Sequence, residues 1–412
     1  MIRGRDLSAF WQAPYRPLFL SAFLCALLAV AWWPLGVQLG LPEPGLAPAV
    51  LWHVHELLFG FAPAAIGGYL LTALPGWTGR PPLRGTGLKV LVSLWLLARA
   101  ATAISAAAPL AVLLFLNAAF FLCLAGYILH ELITVRAFRK LGFAAAVLAL
   151  GLAEAVYLAN AATGNVWSSL ALAQYTLTGL TLLLFSVGSR AIPAFTRNWL
   201  ALSDRTAVQV RERPQMRAVS QGLLVLVLAL QLAGATAAAD TVLTAAAIAM
   251  FWSTLGWRTA VALSNPLLAA LHLAWLWLPF GALAAGAAGL GLVDYPSSAA
   301  LHSITIGAMS GLIMAIAGRA GAHSSDGVMR ARTGFTAGAV LIWLTVWIRL
   351  SVPLFSAFAD GLIAAAAVFW CCGWIAFIVG FRHALCGPVP RPVLSGKRSE
   401  AILANTSSTN TK

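Results

Sequence analysis

Apolar residues are grouped along this chain in about twelve long runs, separated by short stretches in which polar residues are concentrated. Each run has roughly 20 residues, the length that one α-helix needs to cross the hydrocarbon core of a bilayer. The pattern predicts an all-α, polytopic transmembrane bundle of about twelve helices. We place the runs at 17–38, 52–74, 87–106, 109–130, 141–160, 167–189, 218–237, 240–258, 262–290, 298–318, 334–357 and 361–383.

The composition agrees with this pattern, since 61% of the residues are hydrophobic, only 9% are charged, and the mean hydropathy is +0.87. Such a balance is typical of an integral membrane protein. The longest polar stretch between runs, 190–217, divides the bundle (17–386) into two sets of about six helices. Residues 1–16 form a short segment before the bundle. The tail 387–412, rich in Pro and then in Ser and Thr, is predicted to be disordered.

The net charge of +14 is explained by topology rather than by a nucleic-acid partner. Lys and Arg are concentrated before the first run and in every second connection after it, whereas the intervening connections carry almost none. This alternation follows the positive-inside rule and predicts that both termini are cytoplasmic. We therefore expect a multi-pass protein of the bacterial cytoplasmic (inner) membrane, with the lipid bilayer as its partner and no nucleic-acid binding.

The stretch WHVHE (52–56) stands at the entrance to the second apolar run, which holds no other charge. Ionisable groups inside a hydrocarbon layer are costly and usually functional. Residues three apart share a face of a helix, so His53 and Glu56 can act together. If the helix begins late, His55 could instead pair with Glu56 as its neighbour in a loop. Small residues continue the first stripe, where another helix or a flat cofactor could lie close to the backbone. They are Gly60, Pro63, Ala64 and Gly67.

We estimate the depth of each ionisable residue in the membrane from a rise of about 1.5 Å per residue. Several further ionisable residues are then expected near the depth of the WHVHE stretch. His272 is expected near the midplane, about ten residues into its run. The residues predicted in the outer half are His53, His55, Glu56, Arg99, Glu154, His302 and Arg349.

These residue types are common metal ligands. Neutral imidazole suits haem iron, copper and zinc, and a neighbouring carboxylate often fixes the tautomer of a ligating histidine. Guanidinium groups pair with haem propionates, which makes Arg99 and Arg349 candidates for that role. Each histidine could instead be a hydrogen-bonded residue of a packed bundle. We predict haem b, and copper as a second metal. The candidate ligands are His53, His55, His272 and His302, with Glu56 as a hydrogen-bond partner of a ligand.

Ligand counts and cysteine spacing exclude two kinds of haem protein. Of the seven histidines, we expect four to be embedded, which is too few for a respiratory haem-copper oxidase. The five cysteines include no CxxCH motif, so covalent attachment of a c-type haem is excluded, and they imply no disulfide framework. Met309 and Met314 are candidate soft ligands for copper, although core packing is the simpler role for both.

The segment GSRAIPAFT (188–196) carries Arg190 and Pro193 close together. Proline removes a backbone hydrogen bond and usually kinks or ends a helix. We expect the sixth helix to break here, with Arg190 reaching the inner membrane surface. A structural or cofactor contact is the alternative.

Several segments together resemble the NnrS family of bacterial membrane proteins. The combination of WHxHE with LTAxPxWTG is specific, and the resemblance runs from the first helix to the last. The matching segments are YRPLFL (15–20), WHVHELLFGF (52–61), GYLLTALPGWTGRPPLRG (68–85), GSRAIPAFT (188–196), NPLLAALH (265–272) and LHSITIGAMSGLIMAIAGRAGAH (301–323).

The resemblance implies a polytopic protein that contains haem and copper, is associated with denitrification, and protects against nitric oxide and nitrosative stress. Nitric oxide or a related small molecule is the implied ligand. The resemblance assigns neither the electron donor nor which histidine binds iron and which binds copper. The residues on family motif positions are His53, His55, Glu56, Arg190, His272, His302, Arg319 and His323.

Two other functions are open on the sequence. A twelve-helix secondary transporter is the first, since Glu56 and Glu154 are embedded carboxylates of the kind that proton-coupled transport uses. The connection GWTGRPPLRGTGLK (76–89), however, lacks the acidic residue of the major facilitator signature. The second is a structural or assembly subunit without a cofactor of its own.

Overall fold

The computed structural model describes residues 8–203, 205, 207–322, 329–386, 389 and 393. This part of the chain is helical and contains no β-strand. It has twelve helices that are long and apolar enough to cross a membrane, which confirms the predicted bundle. They are α1 (Tyr15–Gly36), α2 (Ala49–Thr78), α3 (Thr86–Ala103), α4 (Leu110–Thr134), α5 (Phe138–Ala162), α6 (Val166–Leu202), α7 (Pro214–Leu232), α8 (Thr236–Thr254), α9 (Pro266–Gly289), α10 (Ser297–Gly321), α11 (Thr333–Leu354) and α12 (Ser356–Leu385).

Consecutive spanning helices run in opposite directions, because only helices and closed barrels cross the hydrocarbon core and a non-helical connection does not recross it. With twelve spans, α1 begins and α12 ends on the same side, which we call the terminal face; the other side is the opposite face. That the terminal face is cytoplasmic stays a prediction. Most of the predicted tail, 387–412, lies outside the described residues.

The second helix lies at the centre of the bundle. In its most apolar window, 72% of the α2 residues are buried, against 61% in α9 and α10 and 44% or less in the other helices. Lipid-facing helices keep much of their surface exposed in the isolated chain, whereas α2, α9 and α10 are covered by protein. The two histidine-bearing segments of α2 and α10 therefore belong to the interior rather than to the lipid surface.

Aromatic packing fastens α12 to the first two helices. The ring of Trp374 stacks on Phe23 with centroids 5.5 Å apart and meets Phe61 edge-on at 5.5 Å. The indole of Trp370 donates a 2.7 Å hydrogen bond to the backbone carbonyl of Ala26. Buried aromatic pairs contribute about 0.5–1.5 kcal/mol beyond the area that they bury. The C-terminal helix is thus an integral part of the bundle.

Helix α6 differs from the prediction, because it continues without interruption through Arg190 and Pro193 to Leu202. A proline costs the helix one hydrogen bond, and neighbouring helices in a membrane bundle compensate for that loss. Gly188 shows how close these neighbours are: a Cβ there would lie 2.5 Å from the ring of Trp275. Packing against α9 therefore supports the unbroken helix, and the connection to α7 is shorter than the predicted 190–217.

The small residues on α2 are packed by side chains from neighbouring helices. A Cβ on Gly60 would lie 2.9 Å from Cys25 Sγ and 3.0 Å from Arg99 Nη1. A Cβ on Gly67 would lie 3.3 Å from Leu124. The stripe lets α1, α3 and α4 approach the backbone of α2, which was one of its two predicted uses.

Two segments of the spanning helices widen from α-helical to π-helical winding, namely Glu56–Phe61 and Ser303–Ser310. They begin directly after two candidate ligands, His55 and His302. Such widenings cost backbone hydrogen bonds and are frequent at functional sites. They mark the same two places that the histidines mark in the sequence.

Candidate functional site

Four ionisable side chains from three helices meet in a buried group toward the opposite face. We call it the ion cluster; it consists of His55 and Glu56 on α2, Arg99 on α3 and Glu154 on α5. Arg99 is central: Nη1 donates to Glu56 Oε1 at 3.0 Å and Nη2 donates to Glu154 Oε1 at 3.0 Å. Neither His55 nor Glu154 has any exposed surface. One guanidinium thus joins two carboxylates that are 98 positions apart in the chain (154 − 56).

The imidazole of His55 lies between the same two carboxylates. Nδ1 is 3.2 Å from Glu56 Oε1, which is a hydrogen bond when Nδ1 carries the proton. Nε2 is 3.1 Å from Glu154 Oε1, but the ring plane is not aligned for a hydrogen bond, so this contact is an ion-pair approach. Both ring nitrogens therefore face carboxylate oxygens, and neither is open toward a metal.

The charges of the ion cluster balance only when it holds one extra proton. Two carboxylates and one guanidinium leave a net charge of −1, which is costly to bury in a hydrocarbon layer. A proton shared among His55 and the two carboxylates makes the group neutral.

Surrounding polar groups fix the ion cluster in place. The side chain of Asn117 on α4 accepts from Arg99 Nη2 at 2.6 Å and anchors itself by donating to the carbonyl of Leu113 at 2.9 Å. The hydroxyl of Tyr157 donates to the carbonyl of Leu51 at 2.8 Å, which ties α5 to the start of α2. Buried polar groups need such partners, and these explain why single polar residues interrupt otherwise apolar runs.

The π-helical segment of α2 receives its missing hydrogen bonds from side chains. The indole of Trp95 donates to the carbonyl of Gly60 at 3.0 Å, and Cys25 Sγ donates to the carbonyl of Glu56 at 3.4 Å. Carbonyls that lose their helical partner are satisfied in this way without water. The widened turn is therefore a built feature of the site.

Of the two pairings predicted for Glu56, the one with His53 is not formed and the one with His55 is, although His55 lies within the helix rather than in a loop before it. Neighbouring residues on a helix are about 100° apart, so a long glutamate side chain can bend back to the ring beside it. Arg99 draws it in that direction by binding the same oxygen. His53 is left to face α1, where its ring lies 5.0 Å from that of Trp33.

His53 and His302 come from separate helices to one place near the opposite face. They are close enough to interact electrostatically with each other, and both interact with Arg349 on α11. Both rings are partly buried. Among the residues that the structure describes, no carboxylate pairs with Arg349. We call His53 and His302 the histidine pair; Arg349 is the arginine beside it.

Hydrogen bonding at the histidine pair favours ligand binding. His302 Nδ1 lies 3.2 Å from the carbonyl of Ala299, so it carries the proton and leaves the lone pair on Nε2. A histidine that donates Nδ1–H to a backbone carbonyl is oriented as metal-ligating histidines usually are. Buried atoms without a hydrogen-bond partner also occur on both segments: Trp52 Nε1, His53 Nδ1 and Ser303 Oγ. A further group bound here could supply their hydrogen bonds.

His272 lies elsewhere, toward the terminal face, in a site of its own. Nε2 is 2.9 Å from the hydroxyl of Thr196 and Nδ1 is 3.0 Å from the hydroxyl of Thr259. The proton of Thr196 is used on the carbonyl of Ile192 at 2.9 Å, so Thr196 must accept from Nε2–H. Nδ1 then accepts from Thr259. Both ring nitrogens are satisfied, as expected for a histidine of a packed core.

The remaining predicted residues lie in different parts of the bundle. Arg99 is committed to carboxylates of the protein rather than open to a propionate. Met309 and Met314 are buried in the core of the bundle. Arg319 lies with its guanidinium 3.9 Å from the ring centroid of Phe195. Within the described residues, no three His, Cys, Asp or Glu side chains form a ready-made metal group. His323 lies outside those residues.

Sequence reasoning placed Glu154 and Arg99 in the same layer as the WHVHE stretch but missed Asn117, Tyr157, Thr196 and Thr259. Asn117 could have been identified from the sequence, because it is the single amide side chain within the apolar run of α4. The threonines gave no signal, because a hydroxyl that bonds its own helix backbone is common in such runs.

Comparison with known proteins gives one informative result. No curated protein matches the sequence significantly. A family model described as NnrS protein matches residues 9–388, which includes all twelve spanning helices, the ion cluster and the histidine pair. The chain therefore belongs to the NnrS family.

Proposed function

We propose that this protein binds haem b, with copper as a second metal, and acts in the response to or detoxification of nitric oxide and nitrosative stress. The proposal places it in the bacterial inner membrane, in association with denitrification. The observation that carries it is the histidine pair: His302, with its proton on Nδ1, interacts electrostatically with His53 and with Arg349, which has no carboxylate partner among the described residues. Family membership gives the direction of the chemistry.

The residues present fit a haem by the chemistry of their donors. His302 is the first candidate for an axial ligand, because the Ala299 carbonyl fixes its tautomer. His53 is the second candidate, with an Nδ1 that has no hydrogen bond. Arg349 would bind a propionate, since guanidinium and carboxylate form strong charge-assisted hydrogen bonds. A haem held here would supply an iron centre at which nitric oxide binds.

The other two candidate histidines have different roles in this proposal. His55 is engaged by Glu56 and Glu154, so the ion cluster supports the site by fixing the winding of α2 two residues beyond His53. His272 is held by two threonines and positions α9 against α6. Copper is proposed from the family resemblance, with Met309 and Met314 as the soft candidate ligands.

The first test is an absorption spectrum of the purified full-length protein with and without nitric oxide, together with metal analysis. We expect a Soret band that shifts when nitric oxide is added. His302→Ala and His53→Ala are expected to lose most of that band, and Arg349→Ala is expected to weaken haem retention. His130→Ala is the matched control, because this exposed histidine lies near the terminal face of α4.

Two results would contradict the proposal. One is the absence of a Soret band after expression with excess haem. The other is an unchanged band in both His53→Ala and His302→Ala, which would move the haem away from the histidine pair. Loss in His272→Ala alone would assign the iron to the site near the terminal face.

A second candidate, a proton-coupled secondary transporter, is favoured by the buried carboxylates of the ion cluster. If the protein is a transporter, protons should move across the membrane of proteoliposomes when a solute such as nitrite is added. A pH dye trapped inside the proteoliposomes would report that movement. That movement should disappear in Glu56→Gln. Proton-driven uptake that is fully retained in Glu56→Gln would count against this candidate.

A further inference from the structure

A pocket of about 470 Å³ opens on the lipid-facing side of the bundle, between the end of α8 and the start of α9. Its walls are almost entirely apolar. Three of the residues that line it, Ile248, Trp252 and Leu255, are 56%, 53% and 53% exposed in the isolated chain. We call it the α8–α9 pocket. Its lining residues are Ile248, Phe251, Trp252, Thr254, Leu255, Gly256, Arg258, Thr259 and Leu276.

Arginines surround the end of the α8–α9 pocket that lies at the terminal face. Arg258 belongs to the lining. The guanidinium of Arg213 lies 5.7 Å from the ring centroid of Trp252. Arg211 is joined to the lining by a 3.0 Å hydrogen bond from its backbone nitrogen to the carbonyl of Gly256. The rim therefore carries three positive charges beside apolar walls.

These charges are not cancelled by the nearest described acid. Glu212 lies between two of the rim arginines in sequence, yet its carboxylate pairs with Arg197 and Arg217. Within the described residues, Arg211, Arg213 and Arg258 have no ion-pair partner. Arg258 uses Nε on the carbonyl of Gln209 at 2.9 Å, which leaves the Nη atoms for another acceptor.

The backbone at the rim is held in an unusual conformation. Gly256 has φ +106°, and a Cβ there would lie 2.9 Å from the carbonyl oxygen of Arg211. Arg258 has φ +63°, which is rare for a residue with a side chain. Left-handed residues of this kind are often found where a binding site is shaped. Together they bring the segment that follows α6 onto the mouth of the pocket.

The dimensions and charges select one class of ligand. Leu276 is ten residues into α9, so the pocket reaches about 15 Å from the membrane edge toward the midplane. That depth suits part of an acyl chain, and the arginine rim suits a phosphate. We propose that the α8–α9 pocket binds an anionic phospholipid, with its phosphate on Arg213 and Arg258 and an acyl chain against Ile248, Trp252 and Leu276. Basic pockets between helices at a membrane surface bind lipids of this kind.

Lipid bound in this pocket would affect the His272 site through Thr259. This residue lines the pocket, and its hydroxyl is the hydrogen-bond partner of His272 Nδ1. An acyl chain packed on Thr259 would hold the short helix Thr259–Ala262 against α9. Bound lipid would therefore stabilise the His272 site from outside.

The test is native mass spectrometry of the full-length protein in detergent, titrated with phosphatidylglycerol or with phosphatidylcholine. We expect tighter binding of phosphatidylglycerol to the wild type. Each arginine near an anionic lipid surface contributes about 1 kcal/mol, so Arg213→Gln and Arg258→Gln should each weaken binding about fivefold. Both side chains are exposed, and neither lies in the bundle core. Arg139→Gln, at another connection of the terminal face, is the control that should keep wild-type affinity.

A second measurement guards against variants with altered folding. Thermal unfolding of the wild type should shift upward with phosphatidylglycerol and not with inorganic phosphate. Equal binding of both phospholipids would overturn the proposal, as would an equal loss of affinity in Arg139→Gln. Stabilisation by inorganic phosphate alone would replace the lipid with a free anion and would also overturn it.

Discussion

His55 Nε2 lies 3.1 Å from Glu154 Oε1, and both residues are fully buried. The two residues lie on different helices, α2 and α5. The contact exists because Arg99 binds the same glutamate oxygen at 3.0 Å and also binds Glu56. A single guanidinium therefore gathers α2 and α5 around α3. The site's stability should depend on that one cation more than on any histidine.

Replacing Arg99 by Met should destabilise the protein strongly. The substitution keeps an unbranched apolar stem but leaves Glu56 and Glu154 buried without their guanidinium, so we expect a loss of about 3–5 kcal/mol. Thermal unfolding of the detergent-purified protein measures it. Arg197→Met is the matched control: Arg197 pairs with Glu212, but 46% of the Arg197 side chain and 27% of the Glu212 side chain are exposed. That pair should contribute about 0–1 kcal/mol. Equal losses of stability in the two variants would contradict the expectation that the buried ion cluster contributes more than an exposed ion pair.

Adding Glu154→Gln to Arg99→Met should recover part of the lost stability. The single variant has two buried carboxylates without a guanidinium, whereas the double variant has one. Contacting residues in one network typically couple by about 0.5–3 kcal/mol, and we expect a value in the upper half of that range. A double-mutant cycle on unfolding free energies gives this number. Additive effects of the two substitutions would separate Glu154 from Arg99 energetically.

The sequence was enough to predict the bundle and the layer of the site. Twelve apolar runs and alternating basic connections are dictated by the bilayer, and no tertiary information is needed to find them. The depth of His53, Arg99 and Glu154 followed from the same counting. Which side chains touch did not follow, because contacts between α2, α3 and α5 depend on how each helix is rotated about its axis.

Two local errors have specific physical causes. Helical spacing predicted His53 beside Glu56, but the shared partner Arg99 turned the glutamate toward His55. Proline chemistry predicted a break at Pro193, but α6 is held by its contact with Trp275 through Gly188. In both places tertiary packing overrode a local rule.

Thr196→Val should destabilise the protein, since it leaves the buried Nε2–H of His272 without an acceptor. A lost partner of this kind costs about 1–3 kcal/mol. Thr176→Val is the control on the same helix, because the buried hydroxyl of Thr176 bonds only the carbonyl of Leu172, at 2.8 Å, which is already in the helix ladder. We expect a smaller loss there. Nitrogen NMR of labelled histidine should show His272 protonated at Nε2 in the wild type; a proton on Nδ1 would contradict the assigned tautomer.

Gly188→Ala should be destabilising for a steric reason. A Cβ at this position would meet the ring of Trp275 at 2.5 Å, and Trp275 is itself buried against Phe185 and Trp257. Overpacking of this kind costs about 1–3 kcal/mol. The control is Gly179→Ala on the same helix, where nothing lies within 4 Å. That change should be neutral or should stabilise by up to about 1 kcal/mol, because alanine favours the helix.

The steric cause can be separated from helix propensity with a second substitution. Trp275→Leu removes the ring that the new methyl group would meet, so Gly188→Ala should cost less in the Trp275→Leu background than in the wild type. Unfolding midpoints of the four proteins measure the difference. If Gly188→Ala costs the same in both backgrounds, then the close approach of α6 to α9 does not limit this position. The explanation for the unbroken helix at Pro193 would then be lost, because that explanation depends on Trp275 packing against Gly188.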